Sequence, residues 1–278
     1  MKKIPFQRSL PKGVFRLLCA VACIAGALSS HAADSSWNVD AAGNWSTAGS
    51  WTAGVPGSTS ILTSADIATF SNTLTAARTV TVDANRNIGG ITFGNTSTFG
   101  FTLSSGNLLL TNGGVIQNLL GTGNHTDTIS SAITIQGNGG SATFTANATS
   151  GTSLLSIANV SGVSTAGNTT TVNLNGSNTA TGNEVRVLTN GTSGGKLAIV
   201  KSGAGTWSLG LPNTLNTFTG GITINAGTLR AGTGAGGAGA RLSQCDHPRQ
   251  HGRDDSRPQC REHEPDHRFP RWRRHDGG

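Results

Sequence analysis

Short apolar runs closed by Gly or Asn fill the chain from about residue 78 to residue 232, and they leave room for little but β-structure. "RTVTVDA", "GGITFGN", "FGFTLSSG", "NLLLTNGG", "DTISSAITIQG", "SATFTANA", "SLLSIANVSG", "TTTVNLNG", "NEVRVLTNG", "GKLAIVKSG", "GTWSLGL" and "GGITINAGTLRAG" follow one another with almost no spacer. Val, Ile, Leu or Phe alternate with Thr, Ser or Asn in most of them. That period of two puts successive side chains on opposite faces of a strand. Gly and Asn at the ends are corner residues. The one helix-like piece, "VIQNLLG" from Val115 to Gly121, is short and interrupted by Asn.

Two all-β architectures are compatible with this pattern. A sandwich or barrel wants larger apolar residues and more aromatics. A solenoid needs small residues at tight corners, rows of Val, Ile, Leu and Phe inside, and rows of Thr, Ser and Asn outside. Aromatic residues make up 5% of the chain and glycine occurs 40 times, which favours the solenoid. The related pieces "GGITF" (Gly89–Phe93) and "GGITI" (Gly220–Ile224) point the same way. The expected fold is all-β, a right-handed parallel β-helix over residues 33–231. In such a fold no coil buries its own face; stability comes from neighbours stacked along the axis.

The first 32 residues read differently. Lys2, Lys3, Arg8, Lys12 and Arg16 precede an apolar run from Leu17 to Leu28, and Ser30 and Ala32 supply small residues before a cleavage point. This is the secretory-leader pattern, and the run is short for a bilayer span. Residues 1–32 are expected to be a signal peptide engaging the secretion machinery. Cys19 and Cys23 would leave with it, so residues 33–240 would enter an oxidising space without cysteine.

The net charge of +7 does not describe this body. Between Ala33 and Ala240 six basic residues (Arg78, Arg86, Arg186, Lys196, Lys201, Arg230) balance six acidic ones (Asp34, Asp40, Asp66, Asp83, Asp127, Glu184). The excess positive charge sits in the leader and beyond residue 240. A nucleic-acid footprint needs clustered positive charge on the folded domain, so no nucleic-acid partner is expected.

The stretch "GGKLAIVKSGAGTWSLGLPNTLNTFTGGITINAGTLRAG" (Gly194 to Gly232) goes beyond composition. It closely resembles the autotransporter-associated β-strand repeat, also called the passenger-associated transport repeat. The residues that carry the likeness are Lys201, Gly203, Gly205, Thr206, Trp207 and Leu209, then Asn216, Thr217, Phe218, Thr219, Gly220, Gly221, Thr223, Ile224, Gly227, Thr228 and Leu229. The connection "GLPNTLNTF" is longer than the family's, which suggests an enlarged loop. The resemblance implies a β-helical passenger segment of an exported or surface-displayed bacterial protein. It implies no catalytic residues.

Trp37, Trp45 and Trp51 lie among Gly, Ser and Asn in residues 33–75. As a group they suit an N-terminal cap over the first open coil, since solenoid ends need covering; the alternative is a platform for stacking on a surface glycan. The acidic residues are single and dispersed, and only stacking of coils would bring Asp66 and Asp83 together as an acid–base pair. No P-loop, GxSxG or HExxH pattern occurs, and no cofactor is expected.

At Arg241 the vocabulary changes to Arg, His, Asp and Pro. Three readings of this tail stand side by side. Cys245, His247, Cys260, His263 and His267, with His251, have ligand-like spacing for a metal. A disordered basic tail is the second reading. The third, which the abrupt change favours, is translation in a shifted frame. Codons for Asp255–Cys260 and Arg271–Asp276 can be chosen so that a one-base shift yields Thr-Leu-Asp-Leu-Asn-Ala and Gly-Gly-Gly-Gly-Thr-Thr, vocabulary fitting another coil. Residues 232–278 are expected to lie outside the fold, which would leave an open coil end able to associate with copies of itself. The functional expectation is an exported, non-enzymatic β-helical passenger segment at the cell surface or outside the cell. The alternatives are a polysaccharide-degrading β-helix enzyme and a carbohydrate-binding adhesin that uses the three tryptophans.

Overall fold

The computed structural model of the chain describes residues 34–60, 63–119, 123–137, 140–149, 151–163, 165–210, 216–231 and 241–243. The leader, most of the tail with its metal alternative at Cys245, His247, Cys260, His263 and His267, and the centre of the enlarged loop lie outside the described residues.

The alternating runs form strands that pair in parallel with the strand one coil away. Along the first face Ala68 pairs with Ile91, then Ile116, Ala146, Leu174, Lys201 and Ile224 follow in register. Successive partners lie 23 to 30 residues apart, as in Ala68 to Ile91 and Ile116 to Ala146. The second face stacks Val80, Leu103, Ile129, Ile157, Val185, Leu209 and Ala231. The third stacks Arg86, Leu108, Ile133, Val160 and Leu188. The chain visits first, second and third face in turn, and this repetition makes the molecule a parallel β-solenoid. Strand Asn107–Asn118 runs from the third face onto the first, and Thr126–Gln136 from the second onto the third. Val115–Asn118, the start of the piece set aside as too short for a helix, belongs to the first of these strands.

The inner columns are the core. Ala68, Ile91, Ile116, Ala146, Leu174, Val80, Leu103, Ile129, Ile157, Val185, Leu108, Ile133 and Leu188 are fully buried. Coils repeat at roughly 4.7–4.9 Å in a parallel sheet, so each apolar side chain rests on the one below it.

The N-terminal end is closed by aromatic rings. Phe70 is the centre: its ring lies 5.6 Å from Trp51, 5.8 Å from Trp45, 5.5 Å from Phe93 and 5.1 Å from Phe101. Trp37 bridges Trp51 in antiparallel sense and packs edge-on against it at 5.2 Å. The indole of Trp45 donates to the Pro56 carbonyl at 3.0 Å, and that of Trp51 to the Trp45 carbonyl at 2.7 Å. Trp37, Trp45 and Trp51 are all at most 4% exposed. They form the cap, and the glycan-stacking alternative is corrected: no ring face is open to a sugar. A strap at Gly57 and Ser58 completes this end. Ser58 bridges Asn87, the Gly57 amide donates to Asp66 at 2.8 Å, and Arg86, paired to Asp83, donates to the Gly57 carbonyl at 3.1 Å.

At the other end Ile222–Ile224 is the last described strand of the first face, and Ile222 is 40% exposed. Arg241–Ser243 runs antiparallel to Thr228–Ala231; the sequence reading placed no strand past residue 231. Phe70→Ala is expected to cost about 3–5 kcal/mol, because one ring serves both the cap and the first two coils. Equilibrium urea unfolding of the variant against the parent measures it, and a loss under about 1 kcal/mol contradicts the central role given to Phe70.

Candidate functional site

One corner of the solenoid, between the first and second faces, is polar and buried along most of its length. Strands end there, so backbone amides that would continue the ladder need other partners. Side chains supply them. Asp127 stands in the inner column of the second face, beside Leu155 in register, and accepts from the Phe101 amide of the coil below at 2.9 Å. Asn183 repeats the device one coil past Leu155, accepting from its amide at 3.0 Å. Ser208 donates its amide to the Asn183 carbonyl at 2.8 Å and its hydroxyl to the Thr181 carbonyl at 3.2 Å. Asn178 donates to the Ser153 carbonyl at 2.8 Å, and the Ser153 hydroxyl accepts from the Gly123 amide at 3.2 Å. Asn95, Asp127, Ser153, Asn178, Asn183 and Ser208 are at most 2% exposed.

The densest part of this spine surrounds Asp127. Its carboxylate also accepts from Asn118 Nδ2 at 2.9 Å, lies 3.1 Å from His125 Nε2, and is reached by Asn95 Nδ2 at 3.5 Å. His125 Nδ1 lies 2.8 Å from the Ser97 carbonyl, which accepts only, so Nδ1 carries a hydrogen. Burial acts to lower the histidine's pKa, but the Asp127 hydrogen bond and charge outweigh it, and the carbonyls of Ser97 and Gly123 add to them; the net direction is upward. Ser153 Oγ sits 3.4 Å from the same Nδ1. Serine, histidine and aspartate thus meet, but the nitrogen facing the hydroxyl is a donor and Ser153 is buried, so this trio has no base aimed at its serine.

The other dispersed acids have structural partners. Asp66 and Asp83 converge on the strap at Gly57, the first through its amide and the second through Arg86. Glu184 accepts from Ser156 and Arg186, each at 2.8 Å. Among the described residues no group of three His, Cys, Asp or Glu side chains is placed to hold a metal.

The repeat-like residues sit at the top of the polar corner and around the coil that follows it. Lys201 lies in the inner column of the first face between Leu174 and Ile224, fully buried. Its ammonium donates to the carbonyl of Gly203 in its own coil and to that of Ala226 in the next, the latter at 3.2 Å. A side chain at Gly203 would collide with the Gly176 backbone, and one at Gly227 with the Gly203 and Gly205 carbonyls; glycine is what lets the coils close on each other here. Trp207 stands above Asn183 and below Leu229, its indole donating to the Asn175 carbonyl at 2.8 Å. Thr206 pairs with Thr228 across the coils. Asn216 accepts from the Leu188 amide at 2.7 Å, continuing the third face where no strand forms. Gly220 donates its amide to the Leu197 carbonyl at 2.8 Å, and Gly221 takes φ +87° at the turn into Ile222–Ile224.

Residues 199–231 match the family model of the passenger-associated-transport-repeat. The match begins two residues before Lys201 and ends with strand Thr228–Ala231, so it covers one coil of the solenoid and the strands that dock it to the next. No curated protein and no solved structure matches the chain.

Sequence reasoning found the repeat residues but not the inward position of Lys201, although "KLAIVK" carries the signal: Leu197, Ile199 and Lys201 fall on one side of a period of two. His125, Asp127 and Ile129 obey the same alternation. Burial brings the Lys201 ammonium down to about 8 from 10.5. Between those two values the unfolded chain binds a proton that the folded chain does not, so stability rises with pH across about 8 to 10.5. Denaturant midpoints taken through that range are expected to climb in the parent and to lose this component in Lys201→Met; an identical rise in both places its source elsewhere.

Proposed function

We propose that the chain is a non-enzymatic passenger-like segment of an exported protein, a scaffold of stacked coils carried across the cell envelope and exposed at or beyond the cell surface. The observation that carries this reading is the match of residues 199–231 to the passenger-associated-transport-repeat, seated on one coil of a continuous solenoid. The leader pattern of residues 1–32 and the absence of cysteine between residues 33 and 240 support it, because an exported fold without disulfides has to rest on ladder and core, as this one does. The buried corner supports the non-enzymatic part: its polar groups are occupied in holding coils together.

Export gives a defined product. The mature chain is expected to begin at Ala33, and N-terminal sequencing of the protein recovered outside the cytoplasm checks it; a chain still starting at Met1 would contradict the leader assignment. The exposed Ile222 and the last described strand of the first face, Ile222–Ile224, also favour end-to-end association of copies through that edge. Sedimentation velocity over a concentration series is expected to show reversible larger species that Ile222→Lys reduces. A single species at every concentration removes this partner.

A further inference from the structure

We propose that His125, Asp127 and Asn95 form a proton-operated switch at the corner joining four successive coils of the solenoid. The inference rests on the geometry of the buried corner and not on the export reading. His125 Nε2 faces two groups with opposite requirements. Asp127 Oδ2, at 3.1 Å, accepts only, whereas Asn95 Nδ2, at 3.2 Å, donates only. When the imidazole is protonated, Nε2–H donates to Asp127, and the Asn95 amide turns its hydrogen to the other carboxylate oxygen, Oδ1, at 3.5 Å. When the imidazole is neutral, Nδ1 keeps its hydrogen for the Ser97 carbonyl at 2.8 Å, and the bare Nε2 accepts from Asn95 while its lone pair opposes Asp127.

Both arrangements tie the same coils; they differ in the group that Asn95 holds, Asp127 when the ring is charged and His125 when it is neutral. Asn95 and Ser97 belong to the coil below His125 and Asp127, and Ser153 to the coil above. The backbone fixes these positions: the Leu154 amide donates to the His125 carbonyl at 2.8 Å, and the Phe101 amide to Asp127. Asn178, bound to the Ser153 carbonyl, extends the connection to a fourth coil. Asp127 is the one charged group among the described residues with a recorded contact to the ring; the other neighbours, Asn95, Ser97 and Ser153, are neutral. In the protonated state a buried ion pair forms within the His125–Asp127 coil, and in the neutral state Asp127 loses its cation while still accepting from Asn118 and from Phe101 of the coil below.

The sign of the effect follows from linkage. The partners raise the imidazole's affinity for its proton above that in the unfolded chain, where the value is 6.5. The stabilisation is therefore complete below about pH 6.5 and is lost as pH rises through the folded value.

The test is an NMR titration of the full chain, with the ring signal assigned by its loss in His125→Gln and with amide exchange read at Phe101 and Leu154. The expected result is a His125 midpoint above 6.5 and a fall in protection at both amides, measured relative to the intrinsic exchange rate at each pH, as that midpoint is passed. Asn95→Ala, which strips the neutral ring of its donor and leaves the ion pair, is expected to move the midpoint upward. Asp127→Asn is expected to move it down by at least about one unit. If either variant fails to fold, the parent titration still decides, through its midpoint and its coupling to the two amides. A parent midpoint at or below 6.5, protection at Phe101 and Leu154 that ignores the titration, or an Asn95→Ala midpoint equal to or lower than the parent's overturns the switch.

Discussion

The described coils are governed by parallel stacking at a single repeat distance. A parallel ladder sets each residue over its counterpart one coil below, so a side chain pointing inward has no freedom to choose its neighbours. Aliphatic residues satisfy that constraint directly, as the column from Ala68 to Leu174 does. A polar residue in the same position must find partners on the coils above and below, because burying it unpaired costs more than the ladder bond it adjoins returns. The corner between the first and second faces is where the chain meets this demand repeatedly, with Asp127, Asn183 and Lys201 each reaching a backbone group of a neighbouring coil.

The parallel fold class was legible because the alternation in "RTVTVDA" and "TTTVNLNG" is undiluted and the corners are marked by Gly and Asn. The cap was legible as well, since three tryptophans in a segment otherwise poor in large residues have little to do but cover an end. Their alternative use on a sugar failed for a reason no sequence displays: Phe70, some twenty residues on, gathers all three rings around itself. The helix-like piece beginning at Val115 was too short and Asn-interrupted to count against the β-reading, and Val115–Asn118 lies in a strand. The buried corner was hidden differently. His125, Asn95, Asn118 and Ser153 are spread over about sixty residues, and only the coil length, which varies from 23 to 30 in the first-face column, fixes which of them meet.

Among the described residues, His125 and Lys201 push stability in opposite directions because their surroundings differ in kind. His125 meets a carboxylate, so the charged ring is favoured despite burial. Lys201 meets only carbonyl dipoles, and burial prevails. A lysine in that column is consequently a costly residue, and its presence needs a reason other than net stability. Its two acceptors supply one. The Gly203 carbonyl belongs to its own coil and the Ala226 carbonyl to the next, so the ammonium is satisfied only when both coils are docked in this register; an aliphatic residue there would tolerate a slipped neighbour. Buried polar groups elsewhere fix register in the same way at some expense of stability.

The repeat match covers residues 199–231 of a solenoid that continues on the coils before it. Lys201, Gly203, Gly205 and Gly227 form a corner in which backbones approach closely, as they do at Gly100 and Gly123 in the coils before it. The coils before it close the same corner with Asn95, His125, Asp127, Ser153 and Asn178, where several amide, hydroxyl and carboxylate combinations satisfy the same backbone groups. The fold is shared along the chain by the apolar columns; what differs from coil to coil is the chemistry that settles the backbone at the bend.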